Sequence, residues 1–351
     1  MIEHDHAEVD PLRIGGASLS ARFFLGTGRF PSPAIMQQAL AASGAEVITF
    51  AVRRVNLDHV EDDSVLQHLE GRALRYLPNT SGASNADEAV RIAELARAAG
   101  LGNWIKVEIS ADPRTLLPDP LETLRATERL AALGYVTLPY TSDDPVLCRR
   151  LAEAGAAAVM PGGAPIGTGL GILNPYNLGL ICSELAVPVI VDAGLGSAQD
   201  ALQAMELGAA AVLANTPVAR ARDPVGMAQA YALAIRAGRL SYLSGRIPKR
   251  PFASASSTPE GMLGGVLGFT SGSDAAERAI AASERDAGAD APTDTAVRAP
   301  ASDSGAAGLA AMGAQRGIPG TSGTPGNGSV TATAAGSVCG PGSTSERRER
   351  P

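Results

Sequence analysis

A lysine and a glutamate lie two residues apart in the otherwise apolar stretch Asn103–Ile109. If this stretch is a strand, Lys106 and Glu108 share one face with Trp104, and its isoleucines and valine form the other face. A lysine in a low-dielectric pocket loses proton affinity, so its amine can attack a carbonyl group. The pattern therefore predicts either an imine-forming lysine with a carboxylate beside it or a structural lysine–glutamate ion pair.

Helices occur on both sides of this stretch, and their N-terminal caps are readable. A proline directly after Ser, Asp or Asn indicates a helix start, because the side chain accepts a hydrogen bond from a free amide and the ring presets φ. Such pairs occur at Ser32-Pro33, Asp119-Pro120, Asp144-Pro145, Asn174-Pro175 and Asp223-Pro224, and Gly44, Gly134 and Gly155 close the first three helices. Two more starts have a capping box or a close variant, at Asn85 with Glu88 and at Ser197 with Asp200.

Short apolar runs alternate with these helices. After a small hairpin from about Leu12, strands are predicted at about residues 22–25, 46–52, 74–78, 103–109, 135–139, 156–160, 187–192 and 210–214. About eight β-α units fit a closed (β/α)8 barrel better than an open doubly wound sheet, which commonly has about six strands. The predicted fold class is therefore α/β, a (β/α)8 TIM barrel at residues 12–253 that follows a flexible N-terminus at residues 1–11.

The composition changes at about residue 254. Residues 254–351 are rich in Ala, Gly, Ser, Thr and Pro and poor in large apolar residues. Such a segment cannot bury enough surface to offset the entropy lost on ordering it. We expect a low-complexity, largely disordered C-terminal extension, apart from a short helix near Ser273–Glu284.

Glycine-containing turns follow the last two predicted strands, where barrels of this class usually bind phosphate. Ala193 and Gly194 follow strand seven, and Asn215 and Thr216 follow strand eight, with Thr216 and Pro217 predicted as the cap and first residue of a short helix. Glycine lets backbone amides approach an anion, and a helix start adds partial positive charge. These turns predict a phosphate site that Gly167, in the preceding glycine-rich loop, helps to close; the alternative is that Gly194 forms only a tight turn.

Other charged residues also end predicted strands. Asp192, at the end of strand seven, is either a general acid or base or a helix-capping carboxylate. Glu108 could move protons if it is partly desolvated. Arg53 and Arg54 end strand two and are either surface charges or anion contacts, and the polar turn 79–82 after strand three could hydrogen-bond a polyol.

The bulk composition excludes several classes of protein. The formal net charge of −7 and a pI of about 5.2 argue against nucleic-acid binding. The three cysteines lie far apart, without a CxxC motif or a neighbouring histidine, so neither a zinc site nor a disulfide framework is indicated. With no apolar run of about 18 residues and a polar, acidic start, we expect a cytoplasmic, soluble protein. The chemistry outlined above requires no metal or redox cofactor.

Several separated motifs together resemble the bacterial thiazole synthase family, whose members build the thiazole ring of thiamine. The motifs are Gly26–Pro33, Ala51–Asn56, Asn79–Gly82, Asn103–Lys106, Leu138–Thr141, Pro165–Gly167 and Val191–Gly194, and the resemblance runs from about Leu12 to Met262. It implies a (β/α)8 barrel, a lysine that forms an imine with 1-deoxy-D-xylulose 5-phosphate, and dehydroglycine as a further substrate. It also implies a small ubiquitin-like sulfur carrier protein with a C-terminal thiocarboxylate, and a homo-oligomer, a homotetramer in this family.

Residue by residue, the resemblance implies roles for the positions singled out above. Lys106 matches the imine-forming lysine, and Glu108 and Asp192 match the family's candidate acid/base carboxylates. The sugar-phosphate contacts implied by the resemblance are Gly167, Ala193, Gly194, Asn215 and Thr216. The chain departs from the family at Gly162, where a bulkier apolar residue is usual, and after Met262, where the family has no counterpart.

Two other functions use the same elements. Another imine-forming barrel, such as a class I aldolase, would need the same lysine, and a sensor barrel would bind a phosphorylated metabolite without turnover. The basic segment Arg246–Arg250 is either a contact for an acidic carrier protein or a solvated loop.

Overall fold

The computed structural model describes residues 10–56, 64–69, 71–110 and 112–254. Nearly all of the predicted C-terminal extension, including the helix predicted near Ser273–Glu284, lies outside the described residues, as does most of the flexible N-terminus. The domain boundaries therefore stay predictions. Within the described part of the chain, no helix is long and apolar enough to cross a membrane.

The chain begins with the predicted hairpin. Strands β1 (Leu12–Ile14) and β2 (Ala17–Leu19) pair antiparallel, with Leu12 opposite Leu19. Gly15 and Gly16 form the turn with φ of 53° and 80°, a left-handed conformation that glycine adopts without a steric penalty.

Eight parallel strands form the barrel: β3 (Phe23–Gly26), β4 (Val47–Ala51), β5 (Arg75–Asn79), β6 (Trp104–Val107), β7 (Val136–Thr141), β8 (Met160–Pro161), β9 (Ile190–Val191) and β10 (Ala211–Ala214). Their spatial order is β8-β7-β6-β5-β4-β3-β10-β9. Parallel bridges from Val159 to Val189 and from Gly162 to Asp192 bring the two end strands together. The sheet therefore closes on itself, which confirms the predicted fold class.

Nine helices occur among the described residues: α1 (Pro33–Ser43), α2 (Ser64–Gln67), α3 (Ala86–Ala98), α4 (Pro120–Ala132), α5 (Pro145–Glu153), α6 (Pro175–Glu184), α7 (Ala198–Glu206), α8 (Thr216–Ala219) and α9 (Pro224–Ser244). Each of the five predicted proline starts is confirmed, and the residue before the proline accepts a hydrogen bond from a first-turn amide. At the start of α3, Asn85 accepts from the amide of Glu88, whose own carboxylate binds Ser84 instead.

The inward faces of the strands change from apolar to polar along the barrel axis. Near the amino ends, the interior is packed with the hairpin side chains and with large residues that include Phe24, Leu77, Trp104 and Leu138. Two residues further along three of these strands come Asn79, Lys106 and Tyr140. The hairpin and this apolar layer therefore fill one end of the barrel, and polar groups line the other.

The outward faces pack against the helices. Ile105, Val107 and Ile109 form one buried cluster with alanines of α3 and with Leu130 of α4. This arrangement confirms the two-faced reading of the Asn103–Ile109 stretch, although the regular strand ends at Val107 and only a single bridge, at Ile109, lies beyond it.

Candidate active site

A cavity of about 420 Å³ opens at the carboxyl ends of the strands. All eight predicted site residues line it: Lys106, Glu108, Gly167, Asp192, Ala193, Gly194, Asn215 and Thr216. They come from loops and strand ends far apart in the sequence, which the closure of the sheet brings together. Among the described residues, no group of three or more His, Cys, Asp or Glu side chains could hold a metal ion.

Lys106 lies at the centre of this cavity on strand β6. Its residue is only 5% exposed, and its Nζ lies 2.5 Å from Asp192 Oδ2 and 3.8 Å from Glu108 Oε2. Asp192 is 3% exposed, and its Oδ1 accepts a hydrogen bond from the amide of Ala193 at 2.7 Å. The buried ammonium is thus held between two carboxylates, and its nearer partner is itself fixed by the backbone.

This pairing overturns the expectation that the lysine loses proton affinity. Burial acts to lower the pKa of Lys106, but the charges of Asp192 and Glu108, with a hydrogen bond that Lys106 donates to Asp192, outweigh it and raise the pKa above 10.5. The sequence around Lys106 did not predict its ion pair with Asp192, because Asp192 lies in a distant part of the sequence. Lys106 is therefore an ammonium at neutral pH, and it must pass a proton to a neighbour before it can attack a carbonyl.

Glu108 is positioned by the neighbouring strand's loop. The Thr80 hydroxyl accepts from the Glu108 amide and donates to the Glu108 carbonyl, both at 2.9 Å. Thr80 is fully buried, so the backbone at Glu108 is held from below while its carboxylate faces the cavity. This geometry suits a carboxylate that moves protons at the cavity surface.

Tyr140 is a site residue that sequence reasoning missed. Its ring, which is 1% exposed, has its centroid 5.5 Å from Lys106 Nζ, close enough for a cation–π contact. The pKa of Tyr140 is raised by burial and by the charges of Asp192 and Glu108, so the phenol stays protonated. The signal was available, because Leu138 pairs in register with Lys106 and Tyr140 lies two residues beyond it on the same strand.

The predicted polyol-binding turn contributes two residues, Asn79 and Ser81, to the cavity wall. Asn79, which pairs in register with Lys106, donates from its side-chain amide to the Thr49 hydroxyl at 3.3 Å. Its side-chain oxygen accepts from the amide of Ser81 at 3.2 Å. Asn79, Thr49 and Ser81 all line the cavity, so they offer fixed hydroxyl and amide groups to a polar ligand.

The predicted phosphate loop has an unusual backbone. Ala193 and Gly194 both have left-handed φ values, of 60° and 72°. A Cβ at Gly194 would lie 2.4 Å from the carbonyl oxygen of Ala164, so only glycine fits there. Among the described residues, no protein group accepts a hydrogen bond from the N–H of Gly194 or Thr216. Two backbone donors are therefore available to an anion in the cavity.

The glycine-rich loop after β8 packs directly on this turn. The amide of Gly171 donates to the carbonyl of Gly194 at 2.9 Å, and a Cβ at Gly196 would lie 2.4 Å from the carbonyl oxygen of Gly169. Gly162 is anchored by its amide, which donates to the carbonyl of Thr141 at 2.9 Å. The loop is thus held backbone to backbone, and Gly167 at its tip lines the cavity.

Asn215 lines the cavity next to the start of α8, and its predicted contact with phosphate stays a prediction. Asn215 occupies the N-cap position of α8 without a side-chain capping hydrogen bond, and Thr216, which was predicted as the cap, is the first helical residue. In the orientation that satisfies both groups, the Asn215 side-chain amide donates to the carbonyls of Gly26 and Gly28 at 3.2 and 2.7 Å. A Cβ at Gly26 would lie 2.6 Å from Asn215 Cβ, so this contact needs glycine. Its side chain therefore joins the ends of β10 and β3.

The comparisons with known proteins agree with this geometry. Residues 13–258 match the family model described as "Thiazole biosynthesis protein ThiG". The chain is 71% identical over 247 residues to a protein of Halalkalibacterium halodurans named thiazole synthase, covering 70% of this chain and 95% of that one. A Shouchella clausii protein of the same name is 66% identical over 253 residues, covering 72% and 96% of the two chains.

A solved structure is also similar. It is described as the Amycolatopsis orientalis BexX/CysO complex, and the match has a TM-score of 0.62 and 32% sequence identity. The match covers 69% of this chain and 100% of that one.

Proposed function

Because the chain belongs to the ThiG family of thiazole biosynthesis proteins, we propose that it is a thiazole synthase of thiamine biosynthesis. In this proposal, 1-deoxy-D-xylulose 5-phosphate, dehydroglycine and sulfur from a thiocarboxylated carrier protein are condensed into thiazole phosphate. The relatives' names support the activity, and the cavity supports the imine mechanism.

The observation that carries the proposal is the position of the Lys106 amine. It lies buried in the cavity, 2.5 Å from Asp192 Oδ2, with backbone donors at Gly194 and Thr216 in the same cavity. A ketose phosphate with its anionic end at those donors would present its carbonyl within a space lined by the amine. Proximity of this kind is what an amine nucleophile requires.

The first step is a proton transfer that the ion pair prepares. Lys106 passes a proton to Asp192 along their short contact, which frees the nitrogen lone pair. The C–N bond to C2 of the sugar then forms as the carbonyl oxygen takes up a proton, and water leaves as the imine forms. Asp192 can return the proton to the departing oxygen, so one carboxylate serves both directions.

The imine makes the next step possible, because it acidifies the carbon atoms beside C2. Glu108, 3.8 Å from the Lys106 nitrogen, is the second carboxylate that can remove a proton there and let the carbonyl group move along the sugar. Sulfur can then add at the position that opens. Tyr140, whose ring centroid lies 5.5 Å from Lys106 Nζ, has a raised pKa and remains protonated, so it does not compete as a base.

The sulfur donor in this proposal is a small ubiquitin-like carrier protein. A related structure described as a BexX/CysO complex supports a protein partner for this barrel. The segment Arg246–Arg250 is exposed beyond α9 and is one candidate contact for an acidic carrier. We further propose a cytoplasmic homo-oligomer, a homotetramer, which rests on the family relationship alone.

Borohydride reduction tests the proposal directly. The wild-type chain incubated with 1-deoxy-D-xylulose 5-phosphate and borohydride should gain on Lys106 the mass of one sugar phosphate less one oxygen atom, since water leaves and two hydrogen atoms are added, as read by mass spectrometry of its peptides. Lys106→Ala should gain none, and equal labelling would show that Lys106 is not the nucleophile. Cleavage of the sugar without a carrier would favour an aldolase, and tight binding without adduct or turnover would favour a sensor.

A further inference from the structure

Two consecutive arginines stand at the mouth of the cavity. Arg53 and Arg54 end the short 3-10 turn Val52–Arg54 directly after β4, and both are exposed and line the cavity. Among the described residues, neither guanidinium forms an ion pair, whereas the cavity's carboxylates at Glu108 and Asp192 are paired with Lys106. Two cations are thus available to anionic ligands.

The guanidinium of each arginine lies next to a glycine, and the two guanidinium groups lie on opposite sides of the cavity mouth. A Cβ at Gly82 would lie 2.8 Å from Arg53 Nη1, and Arg53 Nη2 is 3.4 Å from the Ser81 hydroxyl oxygen. A Cβ at Gly28 would lie 3.4 Å from Arg54 Nη1. The Arg53 guanidinium therefore occupies space that a side chain at residue 82 would fill, and the Arg54 guanidinium lies at contact distance from Gly28.

The two sides of the cavity hold different groups. Gly28 also contacts Asn215, whose amide group donates to its carbonyl at 2.7 Å, so Arg54 lies on the side of the turn at Thr216. Ser81 follows Asn79, which pairs in register with Lys106, so Arg53 lies on the side of the reacting amine. The phosphate end and the imine end of a bound sugar would each have one arginine.

We propose that these arginines distinguish two anionic groups, with Arg54 assisting the phosphate of the sugar and Arg53 binding the carboxylate of the reactant that meets the imine. The inference rests on the proposed function, which supplies the sugar and the imine. A carboxylate approaching Lys106 is repelled by Glu108 and Asp192, so a cation is needed beside its path. A guanidinium offers a planar pair of donors that matches a carboxylate.

The carboxylate has two possible sources with the same chemistry. One is a small amino-acid-derived acid such as dehydroglycine, and the other is the C-terminal thiocarboxylate of the carrier's peptide tail. Either one would reach the cavity from the solvent side, where Arg53 is exposed.

The test compares Arg53→Gln, Arg53→Lys and Arg54→Gln with Arg91→Gln, which removes a charge from the exposed surface of α3 outside the cavity. Thiazole formation is measured while three reactants are titrated separately. These are 1-deoxy-D-xylulose 5-phosphate, dehydroglycine formed in place from glyoxylate and ammonium, and carrier protein with a C-terminal thiocarboxylate. The borohydride adduct with the sugar is measured in parallel.

Arg53→Gln should raise the KM of either dehydroglycine or the carrier by about 10- to 100-fold, since a charge-assisted hydrogen-bond pair is lost. Adduct formation with the sugar should stay within about 2-fold of wild type, because hydrogen bonds to Arg53 are not part of that step. Arg53→Lys should recover part of the loss, since the charge returns without the planar fork. Arg54→Gln should weaken sugar binding by about 10-fold and leave the other two constants near wild type.

The results separate this inference from the proposed function. If the wild-type chain forms no sugar adduct, the proposed function fails. If it forms the adduct but Arg53→Gln titrates like Arg91→Gln with all three reactants, only the role of Arg53 is overturned. If Arg53→Gln weakens the sugar as much as Arg54→Gln does, both arginines serve the phosphate and the proposed division between them is wrong.

Discussion

The barrel carries a charge cluster at each end, one buried and one partly buried, and the two are composed in opposite ways. At the carboxyl ends of the strands, one cation, Lys106, lies between Glu108 and Asp192. At the amino ends, one carboxylate, Asp10, lies between two cations. Arg239 binds it with two contacts of 2.7 and 2.9 Å, and Arg22 Nη2 lies 2.9 Å from its Oδ2.

The difference shows why a buried ion pair alone does not identify an active site. Arg22 also donates to the carbonyl of Ala210 at 2.6 Å, so the lower cluster ties the start of the chain to the barrel and to α9. A guanidinium cannot release its proton at accessible pH, so Arg22 and Arg239 cannot take part in proton transfer. Lys106 can, and it faces the cavity that a sugar would enter.

The largest contrast is expected when one carboxylate of each cluster becomes an amide. Asp192→Asn should slow sugar-adduct formation by about 10²- to 10⁴-fold, because an amide cannot accept the proton of Lys106. Asp10→Asn should leave that rate unchanged. Rates are read by quenching with borohydride over time, and wild-type rates in Asp192→Asn would mean that Glu108 or water is the proton acceptor.

The second contrast concerns two left-handed glycines at opposite ends of the barrel. Gly194→Ala places a Cβ 2.4 Å from Ala164 at a φ of 72° and should weaken binding of the sugar phosphate by about 10-fold or more. Gly100→Ala has a φ of 79° but open space around the Cβ, so it carries the backbone strain without the clash. Isothermal titration with the sugar phosphate should show a loss of affinity only in Gly194→Ala. Equal affinities in the two variants would mean that this turn does not bind the phosphate.

A smaller effect on stability should reveal the structural role of the lower cluster. Asp10→Asn should lower the free energy of unfolding by about 1.5–3 kcal/mol, because charged hydrogen bonds are lost and Arg22 and Arg239 repel each other. Asp87→Asn removes a carboxylate from the exposed pair with Arg129 and should have no measurable effect. Urea unfolding of wild type, Asp10→Asn and Asp87→Asn provides the measurement. Equal midpoints would mean that the cluster around Asp10 contributes no more to stability than an exposed ion pair.

The smallest effect is a difference in the sign of pH dependence. Lys106 has a raised pKa, so its contribution to stability is full below pH 10.5 and is lost as pH rises through the higher folded value. Asp10 has a lowered pKa, mainly through its hydrogen bond with Arg239, so its contribution is full above 3.8 and is lost as pH falls through the lower folded value. The unfolding difference between wild type and Lys106→Met should therefore change in strong alkali, and that for Asp10→Asn in acid. A change of both in the same pH range would contradict these directions.

Sequence patterns predicted the helices best, because capping is local. A Ser, Asp or Asn before proline sets a helix start within a few residues, as at Ser32 and Asp119. The sequence also indicated which residues would line the cavity, since strand ends and glycine turns indicate where a barrel gathers its polar groups, and the roles of these residues stay predictions. Strand ends were less accurate, because β8 and β9 are held mainly by partners that lie far away in the sequence.

What the sequence could not predict was how distant groups act on each other. Lys106 was expected to lose proton affinity, but the carboxylate of Asp192 reverses that direction across the barrel. The side-chain amide of Asn215 donates to the carbonyls of Gly26 and Gly28, a contact that no pattern in the sequence indicated, and its predicted phosphate contact stays a prediction. Both outcomes depend on closure of the sheet, which no single stretch of sequence contains.

The hairpin of β1 and β2 determines from which end of the barrel ligands enter and leave the cavity. Leu12, Ile14 and Leu19 pack into the barrel against the apolar layer of its interior. The amino end of the barrel is therefore filled, and the cavity opens at the carboxyl ends of the strands. Reactants and products must then enter and leave through the same opening. Under the proposed function, the reactant that meets the imine enters after the sugar and through the same opening. The sugar-derived group can then leave the cavity only after the molecule above it has left.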